Sequence, residues 1–519
     1  MIDVLKKTPI NFIFLGISAS LPYFVTGAGL TRWLRTEEIG LAEIGWLSLG
    51  GLIVAINFVW APFINSFKIP ILYDLLGLRR SWLVFSQWIL AILVFSLSLI
   101  DLKVDFSALI LFVMLIFFFG SVQDISLDAY RVEYDKFNEV STLASSYIIG
   151  WRIGSYLLGS LIFSQEGILS WPDIFKVIAL LLILLSSISF LSKRVDEVAI
   201  NKFNYSEFFD AMKNLILRKD FVIVLIFIAF YRVSDTVLGY MAYPLYTDLG
   251  FSGAELAYKN LGNFIATFFG AFLAVKVIQK TTVIRALFFG SILILSTNVL
   301  FSYLFLYPSF TNLITINFAD TIAQAFATAC FLAYLVSLID RSFTATQHAL
   351  FTSLMLIPGY LFRGYSGVLV EQVDYYNFFI ICGFIGIPSV IISFYFHRGS
   401  ARDTKSILKL ITIAFAISIG LLSLFSFEGQ VFVNDSLLHL GTYFALTLVA
   451  LASRSQTNIF LICTTIFIFS FGLETAQFFT NFRSFELFDI FANFLGVVLA
   501  YFCFYFFQKK LEKYPLNTR

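Results

Sequence analysis

Sixteen runs of about twenty predominantly apolar residues, separated by short polar breaks, constrain this chain more than any other feature. A run of that length matches the hydrocarbon thickness of a bilayer, where every backbone N–H and C=O must be paired within its own segment. The chain is therefore expected to be an all-α polytopic membrane protein. Composition agrees: 59% of the 519 residues are hydrophobic and 13% are charged, against roughly a quarter charged in soluble domains. A soluble enzyme is excluded. The formal charge of +2 leaves no polyelectrolyte face for nucleic acid, so the expected environment is the lipid bilayer. Cys330, Cys382, Cys463 and Cys503 all fall inside apolar runs without C-x-x-C spacing, which argues against a disulfide framework and a zinc site.

Lys6 and Lys7, followed by an apolar stretch and Ser18-Ala19-Ser20, have the outline of a cleavable signal. The run continues through Leu21 to Leu30, however, and reads as an uncleaved first span. Further runs at about 44–64, 81–100, 107–127, 142–163 and 174–191 complete a first block of six, residues 1–191. Residues 192–220 are polar and basic, and the spacing of Phe203, Phe208, Phe209 and Met212 predicts an amphipathic cytoplasmic linker helix. A second block of six, residues 221–396, has runs at 221–240, 257–278, 283–306, 312–338, 346–369 and 376–396. A basic linker, 397–409, precedes four more runs at 410–427, 436–452, 459–478 and 487–507, in a third block, residues 410–519. With the N-terminus inside, 26 of the 35 Lys and Arg fall on the cytoplasmic side; the others are Arg32, Arg35, Lys103, Arg152, Lys176, Arg232, Lys259, Arg363 and Arg483. Both termini are then cytoplasmic, as an even number of spans requires.

Ionisable residues at membrane depth cost several kcal/mol and call for a reason. The fourth run ends QDISLDAYRVE, which puts Asp124, Asp128 and Arg131 on one helical stripe, and an antiparallel neighbour could bring Arg152 of the fifth run beside it. Two readings stay open for that stripe: a helix-locking ion pair, or a gating or substrate role. Arg232 and Asp235, three apart in the seventh run, can neutralise each other without a ligand; Asp320 and Gln324, four apart in the tenth, share a face with no cation near. Asp320 is accordingly the better candidate for a proton-titrating carboxylate. Between the second and third runs, Asp74, Gly77, Arg79 and Arg80 form a tight charged loop that is similar to the cytoplasmic gate motif of the major facilitator superfamily.

The segments PYFVTGAGLTRWLR, AEIGWLSL, FVWAPFI, RRSW, QDISLDAYRVE and DRSFTATQHAL together resemble the AmpG family of muropeptide permeases, over nearly all of residues 1–396. The resemblance implies a twelve-span major facilitator fold (six plus six) that imports anhydro-muropeptides from periplasm to cytoplasm across the bacterial inner membrane. It further implies the proton as coupling ion, with no other cofactor. The matching residues are Arg32, Asp124, Asp128, Arg131, Arg152, Asp235 and Asp320; Arg363, set apart from Pro358 by Gly-Tyr-Leu-Phe, departs from the family pattern. Arg152, Arg232, Gln123, Gln324, Tyr231 and Trp151 offer cations, amides and rings for a large hydroxylated substrate.

In the third block, Asp435 and His439 open one helix, Glu474 and Gln477 follow in the next, Arg483 sits in a loop, and Asp489 and Asn493 begin the last. This order resembles a VanZ-like four-helix module, and on the topology above the polar set faces outward. His439 oriented by Asp435 admits an enzyme reading, with Arg483 gripping an anion; a structural hydrogen-bonded network is the preferred alternative. No nucleophile accompanies the pair, and a single His without thiolates argues against a metal. The chain is thus expected to be a proton-coupled transporter and not an enzyme. The alternatives are a membrane-embedded envelope enzyme or binding protein that uses the C-terminal cluster, and a related carrier of another solute such as an acyl-CoA. No G-x-x-x-x-G-K-[ST] run supports ATP-driven pumping.

Overall fold

The computed structural model describes residues 10–134, 140–195, 221–338, 344–398, 435–453, 458–478 and 487–513, with isolated residues between 409 and 420. These are helical apart from short connections and one isolated bridge, Glu166 to Leu169. Twelve of the described helices are long and apolar enough to cross a membrane. They coincide with twelve of the sixteen apolar runs. The fifth run is helical but broken, as Val140–Arg152, a π turn Ile153–Leu158, and Gly159–Ser164. The eleventh is the helix Thr344–Gly364, the fourteenth is Asp435–Ala452, and the thirteenth lies almost wholly outside the described residues, as does the predicted linker helix over 203–212.

The chain divides into two compact units, one of residues 1–209 and 229–387 and the other of 210–228 with 388–519. The first unit therefore holds most of both six-helix blocks, while the start of the seventh run and the end of the twelfth group with the C-terminal block. In the first unit α1 is Ile10–Thr36, α2 Leu41–Val59, α3 Leu78–Leu97, α4 Phe106–Tyr134, α5 the broken stretch from Val140 to Ser164, and α6 Trp171–Leu191. Its second half contains α7 Val233–Asp248, α8 Gly253–Lys280, α9 Val283–Leu306, α10 Phe310–Leu338, α11 Thr344–Gly364 and α12 Ser366–Ile385. One continuous core joins the halves: Leu21, Phe24, Trp33, Phe163 and Phe175 pack in the same cluster as Tyr240, Tyr246, Phe301 and Phe378. Many of the remaining large apolar side chains, such as Phe268, Phe269 and Phe272 on α8, face outward as lipid-facing helices require.

Two details of the helices set the geometry of the interior. α1 carries a π turn at Val25–Gly29, and α5 carries one at Ile153–Leu158, where an inserted residue re-aims the side chains that follow. α1 and α5 also meet backbone to backbone: a Cβ at Gly150 would stand 1.9 Å from the Ile13 carbonyl oxygen, and one at Gly16 2.2 Å from that of Tyr147. Small residues permit this approach, which lets dispersion hold helices together where lipid offers no hydrophobic contrast.

In the second unit α13 is Asp435–Ala452, α14 Ile459–Phe478 and α15 Leu487–Lys513. Tyr443, Leu446, Ala450, Ile466 and Val497 form its core, and Gly496 of α15 lies against the Leu440 backbone, where a Cβ would be 2.5 Å from the carbonyl oxygen.

Candidate functional site

At one end of the first unit, the two halves are tied by a layer of charge. Arg32 grips Glu166 bidentately, with Nε donating to Oε1 at 2.9 Å and Nη2 to Oε2 at 3.2 Å. It also donates to the Thr247 hydroxyl at 3.0 Å and the Phe251 carbonyl at 2.9 Å, in the second half. Arg35 donates to Asp248 at 2.5 Å, and the other oxygen of Asp248 accepts from Tyr375 at 2.9 Å. The amide of Ala42 donates to Glu371 at 2.9 Å. Arg32, which the resemblance assigns to the pathway, thus stands in this closing layer.

At the other end, the charged loop works within the first half. Gly77 has φ +77°, a left-handed conformation suited to glycine, and it leads straight into α3. Arg79 donates to both oxygens of Glu133, at 2.7–3.0 Å, and to the side chain of Asn65. Arg80 donates to the carbonyls of Leu76 at 3.0 Å and Phe190 at 3.1 Å, and to that of Ser192. Asp74 departs from the expected gate network: its carboxylate is exposed and has no ion pair among the described residues, and only its carbonyl is engaged, by Arg194 at 3.2 Å. The reason is geometric, since the guanidinium of Arg79 is directed at α4 and that of Arg80 at the end of α6.

Between the two ends lie the intramembrane acids. Tyr23 donates to Oδ2 of Asp124, whose Oδ1 is buried without a hydrogen-bond partner. Asp128 pairs with Arg131 at 3.0 Å. Arg152 does not reach that stripe, contrary to expectation. α5 is seated on α1 through its glycines and touches α4 only sparsely, so Arg152 instead lies 5.4 Å from the Trp151 ring and 6.0 Å from that of Tyr156.

In the second half, Arg232 pairs with Asp235 at 2.6 Å, and it also donates to the Thr328 hydroxyl and, at 3.4 Å, to the Gln324 carbonyl on α10. The local pair is thus realised, with an added tie between α7 and α10. Asp320 differs. Its Oδ1 accepts from Thr297 at 2.9 Å and its Oδ2 from Gln324 Nε2 at 2.7 Å, so both partners are neutral. The residue is 5% exposed.

Two cations to which the sequence reading gave no role share a distinctive setting. Lys259 is 3% exposed, donates to the Tyr243 hydroxyl at 3.1 Å, and lies 4.2 Å and 4.9 Å from the rings of Tyr243 and Tyr246. Arg363 lies 3.9 Å from the Tyr240 ring and 5.3 Å from that of Tyr360, and its buried Nε has no hydrogen-bond partner. Arg152 is a third cation that rests on an aromatic face and forms no ion pair among the described residues, as Lys193 on Tyr134 and Lys276 on Phe272 do nearer the helix ends. In the sequence, Lys259 is one more basic residue at a run's edge; the signal that could have raised it is the Tyr243/Tyr246 spacing on the helix before.

In the second unit the C-terminal polar residues do converge. His439 Nδ1 is 3.0 Å from Asn493 Oδ1 and 3.5 Å from Glu474 Oε1, while Nε2 is 3.8 Å from Asp489 Oδ2. Ser436 donates to Asp489 Oδ1 at 3.1 Å. Gln477 is buried on the same turn of α14 as Glu474. The Asp435 side chain and Arg483 lie outside the described residues.

No family model matches the chain. It is similar to a protein of Rickettsia bellii that carries the name transporter AmpG 1, with 28% identity over 73% of this chain and 95% of that one. It is likewise similar to one of Rickettsia conorii named transporter AmpG 4, with 27% identity over 75% of this chain and 96% of that one. Among solved structures it resembles the nucleoside transporter NupG in its D323A mutant form, with 13% identity, a TM-score of 0.56, and coverage of 75% of this chain and 99% of that one. A D-xylose–proton symporter matches with 12% identity and a TM-score of 0.55, over 74% of this chain and 95% of that one. The chain is a multi-pass membrane protein whose transporter-like part has the major facilitator fold, and proteins of the AmpG type are its relatives over about three quarters of its length.

Proposed function

We propose that the protein is a proton-coupled secondary transporter that imports anhydro-muropeptides from periplasm to cytoplasm, lying in the bacterial inner membrane with both termini inside. The observation that carries the reading is the trio of cations, Arg152, Lys259 and Arg363, held on aromatic faces with no carboxylate partner among the described residues. An anhydro-muropeptide presents peptide carboxylates and sugar rings. A cation whose charge is not cancelled by a fixed acid keeps it for a ligand, and tyrosine and tryptophan faces suit the C–H surfaces of sugars. A neutral nucleoside or hexose would not require three such cations. The relatives carry the name transporter AmpG, and the sequence resemblance to that family implies this substrate class.

Asp320 supplies the coupling site in this reading. Its partner Thr297 also lies 3.2 Å from the Ile294 carbonyl, so the hydroxyl can donate to the carboxylate when Asp320 is ionised. When Asp320 is protonated, the new O–H donates to Thr297, whose own hydrogen turns to Ile294. Either state is satisfied, as a site that loads and releases a proton requires. The C-terminal unit, which resembles a VanZ-like module, is read as an accessory binding element. The decisive experiment is uptake of labelled anhydro-muropeptide into proteoliposomes with and without an imposed proton gradient. Gradient-driven accumulation supports the reading, and uptake indifferent to the gradient refutes it.

A further inference from the structure

We infer that the C-terminal unit holds a divalent transition-metal ion between His439, Glu474 and Asp489. This does not depend on the transport reading. One ligand atom from each of the three residues lies within 4.8 Å of the other two, and Glu474 and Asp489 are largely buried. The three side chains come from three helices: the first turns of α13, the last turns of α14 and the first turn of α15. The polar ends of one helical bundle therefore converge on a single point.

The hydrogen bonding around the cluster has the form that metal sites use. An amide oxygen only accepts, so in the neutral ring the 3.0 Å contact with Asn493 Oδ1 places the proton on Nδ1, with Glu474 Oε1 3.5 Å from the same nitrogen. Nε2, left with the lone pair, then lies 3.8 Å from Asp489 Oδ2, too far for a hydrogen bond between them. Two metal–ligand bonds of roughly 2.0–2.2 Å each span such a gap. The second oxygen of Asp489 is occupied by the Ser436 hydroxyl at 3.1 Å, which orients the first. Asn493 on the ring and Ser436 on the carboxylate thus act as positioning residues behind the ligands, the arrangement that fixes tautomer and aim in metal centres. Asn493 is fully buried and its Nδ2 has no hydrogen-bond partner among the described residues, which leaves a buried donor beside the cluster for an exogenous anionic ligand. One imidazole and two carboxylates, without thiolate, select Zn²⁺, Mn²⁺ or Fe²⁺ over soft ions.

The test uses full-length protein purified in detergent, stripped with chelator, exposed to Zn²⁺ or Mn²⁺, dialysed, and analysed for metal per chain. The expected result is about one ion per chain for the wild type, falling to background in H439A and D489N while size-exclusion profile and helical circular dichroism stay unchanged. N493A should retain the site but weaken it by about 10–100-fold, as loss of such a supporting partner does. Co²⁺ loading should give a visible d–d band that H439A abolishes; because it reads ligation directly, it separates a lost site from a misfolded variant. D320N, in the other unit, should bind metal as the wild type does even where uptake is lost. The inference is overturned if the stripped wild type takes up no more ion than H439A. It is equally overturned if Co²⁺ gives the same band in H439A as in the wild type.

Discussion

The two ends of the first unit are both held by arginines and use them differently. At the Arg32 and Arg35 end the guanidiniums reach across from the first half to Thr247, Phe251 and Asp248 of the second. At the Arg79 and Arg80 end they stay within the first half, on Glu133, Leu76, Phe190 and Ser192. Alternating access needs contacts that break at one end while the other closes. Among the described residues, the cross-half ties belong to the Arg32 end. In the transport cycle proposed above, the contacts at the Arg32 end are therefore the ones that must break for that end to open, and the Arg79 pairs brace the first half internally.

The sharpest way to break this comparison is covalent. A reducible bifunctional thiol crosslink between cysteines placed at Arg35 and Asp248 should abolish uptake reversibly, with activity restored by reductant, because it locks the layer that must open. A matched pair at Asn65 and Glu133 should leave most of the transport intact, since it joins residues of one half. If both crosslinks stop transport equally, the distinction between the ends fails.

A second prediction tests what drives the alternation. Asp320→Asn keeps the shape and the Gln324 and Thr297 contacts but removes the titrating oxygen. Gradient-driven accumulation should fall to the level of empty liposomes, while counterflow of preloaded substrate persists. Wild-type dependence on the gradient in this variant would remove Asp320 from the mechanism. Asp235→Asn is the contrast: it leaves Arg232 beside a neutral partner, so it should harm folding and expression more than coupling, because breaking a buried pair strands a charge.

Much of this was legible in the sequence, and the reasons differ by residue. Span positions, the Arg232–Asp235 pair and the isolation of Asp320 follow from periodicity within one helix, which spacing reports directly. Arg152 was misplaced because its neighbour depends on which face of α5 is glycine-lined, and Gly16, Gly150 and Gly154 are separately unremarkable in a chain with 30 glycines. Asp74 could not be separated from Glu133 as the partner of Arg79, since the partner lies 54 residues away on another helix. The aromatic seats of Lys259 and Arg363 were hidden by abundance, because 18% of the chain is aromatic. The convergence of His439, Glu474, Asp489 and Asn493 was expected from helix ends. Its suitability for an ion was argued against by residue counting, and only the distances and the Asn493 and Ser436 contacts speak for it.

The smaller effects sharpen the comparison between the ends by weighing single contacts. Asp248→Asn removes a pair whose two side chains are 26% and 25% exposed, where such pairs contribute about 0.2–1 kcal/mol. That is a several-fold shift toward the state open at this end. Accessibility of a cysteine at Thr247 to a membrane-impermeant reagent should rise by that factor, and the half-saturating substrate concentration should change little.

Lys259→Met should do the reverse. The substitution keeps the apolar stem on Tyr243 and Tyr246 while deleting a charge whose hydrogen bond to an ionised ligand is worth about 1.5–3 kcal/mol. The half-saturating concentration for a muropeptide with free peptide carboxylates should rise about tenfold or more, and that for an amidated analogue should stay near the wild-type value. Equal losses for both substrates would mean that Lys259 holds α7 and α8 together through its tyrosines and does not read the carboxylate. An unchanged value for both would remove it from the pathway.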